Sequence, residues 1–304
     1  MGRIPAAVSP LGMLKITMNT GIHFASFDSC PATGTIEYIS DFNNSVINIY
    51  AGNFAGQAPC GQITGLTNPQ GLFVRKGNLY VANTAGGNIL VFQRGGTTPI
   101  QTLTDPGVEY PVDVTVARDG TVIASNIFQP NGLQAGSIST WNSTGTFVGN
   151  FPMINDLEGL YVTVQKSGKM YFNDIDLTSI EGLTWTGRCP AGVCGAFTST
   201  GAQSGFPGGL RSADNEDVVQ IDQHGNTVNT YESIPNGRTK CSIIGAADAS
   251  ADDISKSEHH LFYADSVSNI AGEIGYPTCA AIGTVQGNPL GAPMGAAVDA
   301  PEAL

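Results

Sequence analysis

Charge is scarce in this chain, and what there is leans one way. Only 12% of the 304 residues are charged, and 25 Asp and Glu side chains stand against 13 Lys and Arg, a formal net charge of −12. Such a surface repels phosphate backbones, which argues against nucleic acid as a partner. It also offers no polybasic stretch for an anionic membrane. Long apolar runs are missing as well: nothing approaches the ~20 residues of a membrane-spanning helix. The apolar run within Met1–Leu14 is short and broken by proline, which predicts no signal peptide there and a mature or trimmed start. No G-x-S-x-G elbow, no H-E-x-x-H pair and no phosphate-cradling glycine loop occurs. Histidine is limited to His23, His224, His259 and His260, no C-x-x-C pair exists, and a structural zinc site is therefore not expected.

The six cysteines are an even set, which suits disulfides and an oxidising, secreted or periplasmic compartment. Cys189 and Cys194 close a short loop and are the expected pair; the pairing of Cys30, Cys60, Cys241 and Cys279 stays open. Asn43-Asn44-Ser45 and Asn142-Ser143-Thr144 fit a glycosylation pattern that is common by chance.

What the chain has in quantity is glycine, 39 residues, with 17 prolines and 41% hydrophobic residues. That composition excludes disorder and favours strands joined by tight turns. It also repeats itself. Taking the last polar residue of each apolar run as a marker gives Asp41, Asn83, Asn126, Asp174, Asp222 and Asp265, at intervals of 42, 43, 48, 48 and 43 residues. A proline-led stretch precedes the runs at Pro69-Gln70-Gly71-Leu72, Pro111-Val112-Asp113-Val114 and Pro207-Gly208-Gly209-Leu210. Turn glycines fall at Gly77, Gly120 and Gly168, and further apolar runs end nine residues past three markers, at Tyr50, Phe92 and Tyr231. A period of 40 to 50 residues with short alternating strands is a propeller blade, a wedge that buries its faces only against neighbouring wedges.

The spacing therefore predicts an all-β chain, a six-bladed β-propeller of four-stranded antiparallel blades. A five-bladed reading would turn residues 175–215 into one insertion. Pro293–Asp299 reads as an inner strand that completes the first blade and closes the ring; Gly21–Phe27 competes for that place. On this reading residues 1–33 form an N-terminal segment with an outer or closing strand, and 34–304 a single propeller domain.

The phrase Y-[VI]-[AS]-[DN]-x-x-[NG] followed by [IV]-x-[VI]-[YF], best seen at Glu37–Tyr50 and Leu79–Phe92 and again at Leu261–Ile270, resembles the NHL-repeat propellers. The resemblance covers most of Gly34–Asp299 at repeat level. It implies architecture more than activity, because that family includes both enzymes and binding platforms. Gluconolactonase-type propellers are similar in architecture, and the similarity implies a calcium or magnesium ion in the central channel held by Glu158, Asp113 and Asp156. Gly208 and Met294 depart from that ligand pattern. Glu158 and His224 are the candidate acid–base groups of a metal-dependent hydrolase or lyase. The markers themselves have two readings, a ring of hard-cation ligands or a turn cap required once per blade.

The alternative is a binding or scaffold protein that takes a protein or carbohydrate ligand through loops on one face. Phe128, Trp185 and Arg188 are its candidate contacts, with Phe206 beside them; Trp185 reads equally as a blade-core residue. The stretch between Asp174 and Pro207 reads as a long decorated loop. Binding is the favoured expectation, since no histidine–carboxylate constellation converges.

Overall fold

Alternation decides the fold. In Ile36–Asp41, Ile36 and Tyr38 turn to one side and Glu37 and Ile39 to the other, and all four are buried. A strand buried on both faces needs a sheet on each side of it. The computed structural model describes residues 30, 34–52, 58–107, 110–127, 136–153, 157–176, 182–213, 217–233, 236–243, 249–254, 259–286 and 290–299. Among them are six four-stranded antiparallel sheets set around a ring, a six-bladed β-propeller.

Blade one holds β1 (Ile36–Asp41), β2 (Val46–Ala51) and β3 (Gly61–Ile63). Blade two is β4 (Pro69–Arg75), β5 (Asn78–Asn83), β6 (Asn88–Gln93) and β7 (Pro99–Thr104). Blade three is β8 (Pro111–Val116), β9 (Val122–Asn126), β10 (Ser137–Trp141) and β11 (Phe147–Pro152). Blade four is β12 (Leu157–Val164), β13 (Met170–Asp176), β14 (Gly182–Gly187) and β15 (Thr198–Ser204). Blade five is β16 (Pro207–Ser212), β17 (Val218–Asp222), β18 (Thr227–Ser233) and β19 (Asn236–Ser242). Blade six is β20 (Ala249–Ile254), β21 (His260–Asp265), β22 (Ile270–Gly275) and β23 (Ala281–Gln286). The remaining strand, β24 (Pro293–Asp299), returns to blade one and pairs antiparallel with β1, so the innermost strand of the first blade comes from the far end of the chain. Residues 21–27, the competing segment, lie outside the described residues.

Five markers end the second strand of their blades; β13 runs two residues past Asp174. The stretch between Asp174 and Pro207 is not a decorated loop. It contains β14 and β15, where Gly182, Thr184, Ala202 and Ser204 are buried and most of the other Thr, Ser and Gly residues are partly or fully open. The composition looked like a loop because an outer strand has only one face to bury.

Six hydrophobic clusters fill the gaps between neighbouring blades. Ile36, Tyr38 and Ile47 meet Leu72 and Val81 between blades one and two. Phe262, Ala271 and Val285 meet Ile39, Tyr50 and Val298 between blades six and one, where the ring closes. Each inner strand begins with a register shift against its neighbour, at Pro69/Leu72, Pro111/Asp113, Gly159/Val162, Pro207/Leu210, Ala249/Ala251 and near Pro293. This is what the proline-led stretches encode: a bulge that bends the chain where it turns in toward the axis. A Cβ on Gly71 would lie 2.2 Å from Asp113 Oδ1, and one on Gly295 2.2 Å from the Gln70 carbonyl oxygen, so glycine is required at both approaches.

Disulfides join Cys30 to Cys60 and Cys189 to Cys194, and Cys279 is also disulfide-bonded. The first anchors the segment ahead of β1 to the segment ahead of β3. The second closes a loop whose Gly192 carbonyl accepts a hydrogen bond from Thr140 Oγ1 at 2.6 Å, tying blade four to blade three. Among the described residues no helix is long and apolar enough to cross a membrane.

Candidate functional site

The register Pro69↔Asn83 and Asn88↔Thr104 brings the start of an inner strand, the end of the second strand and the end of the fourth to one face. The markers share that face, and their hydrogen bonds show what they do. Both oxygens of Asp41 accept two bonds each: the Asn44 and Ala292 amides on Oδ1, the Gly291 amide and the Asn44 side chain on Oδ2. Asn83 Oδ1 accepts from the Thr67 amide at 2.6 Å. Asp222 accepts from the amides of Gly205, Phe206 and Gly225, and Asp265 from those of Val267 and Ser268. At Asp41, Asn83 and Asp222 the marker holds the incoming blade connection, and Asp41, Asp222 and Asp265 also cap the turn that follows. At these four markers local geometry asks for Asp or Asn, whereas Asn126 donates instead to the Ser137 and Ser139 hydroxyls of the neighbouring strand.

Residues just before the markers do a second job. Ser40 Oγ donates to the Gln70 carbonyl and Ser125 Oγ to the Leu160 carbonyl, each at 2.6 Å. Asn173 Nδ2 donates to the Gly208 carbonyl at 2.9 Å. Each bond crosses to the bulge of the next blade and satisfies a backbone group that the shifted register would otherwise strand.

The axis is held by a buried ion pair. Arg211 on β16 is 2% exposed and Asp113 on β8 is fully buried. The guanidinium grips the carboxylate with Nη1 at 2.8 Å from Oδ2 and Nη2 at 3.2 Å from Oδ1. Arg211 also donates to the backbone carbonyls of Leu72, Leu210 and Val162, while Asp113 Oδ2 accepts from the Val162 amide. Inner strands present an unpaired edge to the channel. One planar five-donor group and one four-site acceptor, the latter carried by β8, satisfy backbone groups on the edges of β4, β12 and β16 together. The guanidinium carbon lies 5.9 Å from the Phe73 ring centroid. Sequence reading singled out Asp113 as a metal ligand and missed Arg211, whose partner stands 98 residues away along the chain.

The other candidates are dispersed. Glu158, on β12 near the marker face, is 1% exposed; its Oε1 has no hydrogen-bond partner, and burial pushes its carboxyl above the ordinary range. His224 is exposed after Asp222, with its ring 5.5 Å from that of Phe206. Trp185 on β14 stacks on Phe172 at 6.5 Å and 9° within the cluster between blades three and four. Arg188 lies on the opposite face, donating to the Ser167 carbonyl at 2.7 Å. Phe128 and Asp156 lie outside the described residues. The structure thus does not bring Trp185, Arg188 and His224 onto one surface, and it commits Asp113 to Arg211. Among the described residues, the large exposed apolar side chains on the marker face are Tyr110, 38% exposed, and Val267, 55%. Both follow a strand end into a connection or turn, and exposed residues of this kind carry no periodic signal in the sequence.

The class is thus a six-bladed β-propeller with an ion pair across its inner strands and a loop-built rim. No protein-family model matches the chain, and no curated protein matches it in sequence. Solved structures match it in fold. A chain from the crystal structure of a nidogen/laminin complex superposes with a TM-score of 0.66 at 14% identity, covering 87% of this chain and 98% of that one. A functionally unknown protein from Desulfotomaculum acetoxidans DSM 771 gives 0.57 at 10% identity, with 85% and 81% covered. Hydrazine synthase of Kuenenia stuttgartiensis gives 0.56 at 10%, with 78% and 72% covered. At these identities the likeness is one of fold.

Proposed function

We propose that the chain is an extracytoplasmic binding or scaffold propeller of the NHL kind, taking a protein or carbohydrate ligand on the loops of the marker face. One observation carries the reading: the charged pair across the inner strands, Asp113 and Arg211, is spent on holding blades together, while the marker face presents Tyr110, Val267 and the His224–Phe206 pair. The disulfides suit an oxidising compartment. The structural neighbour seen in a two-protein complex supports a protein partner ahead of a carbohydrate.

The test is a binding screen of the purified chain against arrays of secreted-protein and glycan ligands, repeated with the double variant Tyr110→Ser, Val267→Asp. Loss of at least ~10-fold in affinity for a captured ligand, with unchanged thermal unfolding, is the expected result; buried aromatic anchors are typically worth that much. Unchanged binding by the double variant would place the ligand elsewhere.

A second reading rests on Glu158. A buried carboxyl with one unpaired oxygen near the marker face is also what a metal-dependent hydrolase or lyase of gluconolactonase type would place there, as a ligand for calcium or magnesium or as the acid–base group. Lactone hydrolysis that is lost with chelator and with Glu158→Gln would establish this reading over the first.

A further inference from the structure

The seam where blade six meets blade one carries two carboxyl groups that no packing argument explains. Glu37 on β1 is 1% exposed and Glu273 on β22 is 4% exposed. Both point into the gap that Ile39, Tyr50, Phe262, Ala271 and Val298 fill. Glu37 stands across from Val298 on one side and Tyr50 on the other, and Glu273 across from Phe262. Oε2 of each has no hydrogen-bond partner. Glu273 Oε1 sits 2.5 Å from His260 Nδ1, whose ring is half open to solvent.

We propose that this seam is an acid-dependent clasp: the ring closes on a protonated Glu37, and it loosens when Glu37 ionises opposite Glu273.

The surroundings leave an ionised Glu37 no counter-charge among the described residues. Facing it are Tyr50 from β2, Glu273 from β22 and His260 from β21, with Asp41 farther along its own strand. The same gap holds Val285 of β23 and Ala296 and Val298 of β24. Arg94 lies on the far side of β1, by Tyr38, where it pairs with Asp299 at 2.7 Å. His260 is engaged with Glu273. Burial first, and the Glu273 charge second, push the Glu37 carboxyl up to about 9.

The sign follows from linkage. The folded ring binds the Glu37 proton more tightly than the unfolded chain does, whose carboxyl titrates near 4.5. The stabilisation is therefore whole below the unfolded value and is lost as pH climbs toward the folded one. Over that window this one group lowers the folded-to-unfolded ratio by up to about tenfold per pH unit.

The experiment is chemical denaturation of the full chain across about pH 4.5 to 9, for the wild type and for Glu37→Gln. The amide cannot ionise and keeps the shape. The variant should match the wild type at the acid end and exceed its folded-to-unfolded ratio by at least ~10-fold at about pH 8. Amide exchange, corrected for intrinsic rates, should show the wild-type excess opening in β1 and β24 ahead of the other blades. Parallel pH curves for the two proteins, or a variant less stable at pH 8, would overturn the proposal. Should Glu37→Gln not fold, a carbon-13 titration of the wild-type Glu37 carboxyl decides: a midpoint well above 7 supports the clasp, and one near 4.5 refutes it.

Discussion

Single side chains do two different kinds of work in this ring, and substitutions separate them. Asp41 is a local staple with four accepted hydrogen bonds. Asp41→Ala strands buried donors in both the turn and the blade connection, and a loss of about 1–3 kcal/mol in denaturant unfolding is expected. Arg211 and Asp113 act at long range. Asp113→Ala leaves a buried guanidinium without its counter-charge, at a cost of about 3–5 kcal/mol, whereas Arg211→Met with Asp113→Leu should recover much of that loss. A double variant as unstable as the single one would show that the backbone bonds of Arg211, and not the ion pair, hold the axis. Glu158 is a third case. Its carboxyl is raised by burial, so its contribution is whole in acid and falls away as pH rises past the ordinary carboxylate range. Glu158→Gln should raise the melting temperature at alkaline pH and leave it unchanged in acid; an unchanged alkaline value would mean Glu158 ionises freely.

At the scale of the strand, the sequence states some features outright and conceals others. The second strand of every blade was legible, because an Asp or Asn stands at or near its end and apolar residues dominate its interior. The bulges were half legible: Pro69-Gln70-Gly71 and Pro207-Gly208-Gly209 announce a special backbone, but only the shifted pairing reveals its form. The outer strands β14 and β15 were misread as loop because their exposed face carries Thr, Ser and Gly. The axial ion pair and the Glu37–Glu273 seam were not legible at all. Nothing local links Asp113 to Arg211, or Glu37 to Glu273; only the circular order of blades does. The same close approach gives a prediction at this scale. Gly71→Ala puts a methyl group 2.2 Å from Asp113 Oδ1 and should destabilise by ~1–3 kcal/mol, as overpacking does. The paired variant Gly71→Ala, Asp113→Gly should be less than the sum of its parts in a double-mutant cycle.

For the whole molecule, the decisive element is β24. It pairs with β1 along the whole of that strand, and Arg94 of blade two clamps its last residue through the Asp299 carboxylate and carbonyl. Arg94→Ala should therefore raise amide exchange in β24 and β1 selectively. Deleting Pro293–Asp299 should abolish a single cooperative unfolding transition, since the inner edge of blade one and two faces of core are then open. A truncated chain that still melts as one unit would mean that closure is ornamental.

Blade one cannot finish until blade six has been made. During translation β1 leaves the ribosome with its inward edge bare and keeps it so while every other strand of the ring is polymerised. The nascent chain thus carries an unguarded adhesive strip until the last strand of the ring is made. Slow elongation or an early stop codon should send it into aggregates, and a chaperone that shields strand edges should be its principal helper.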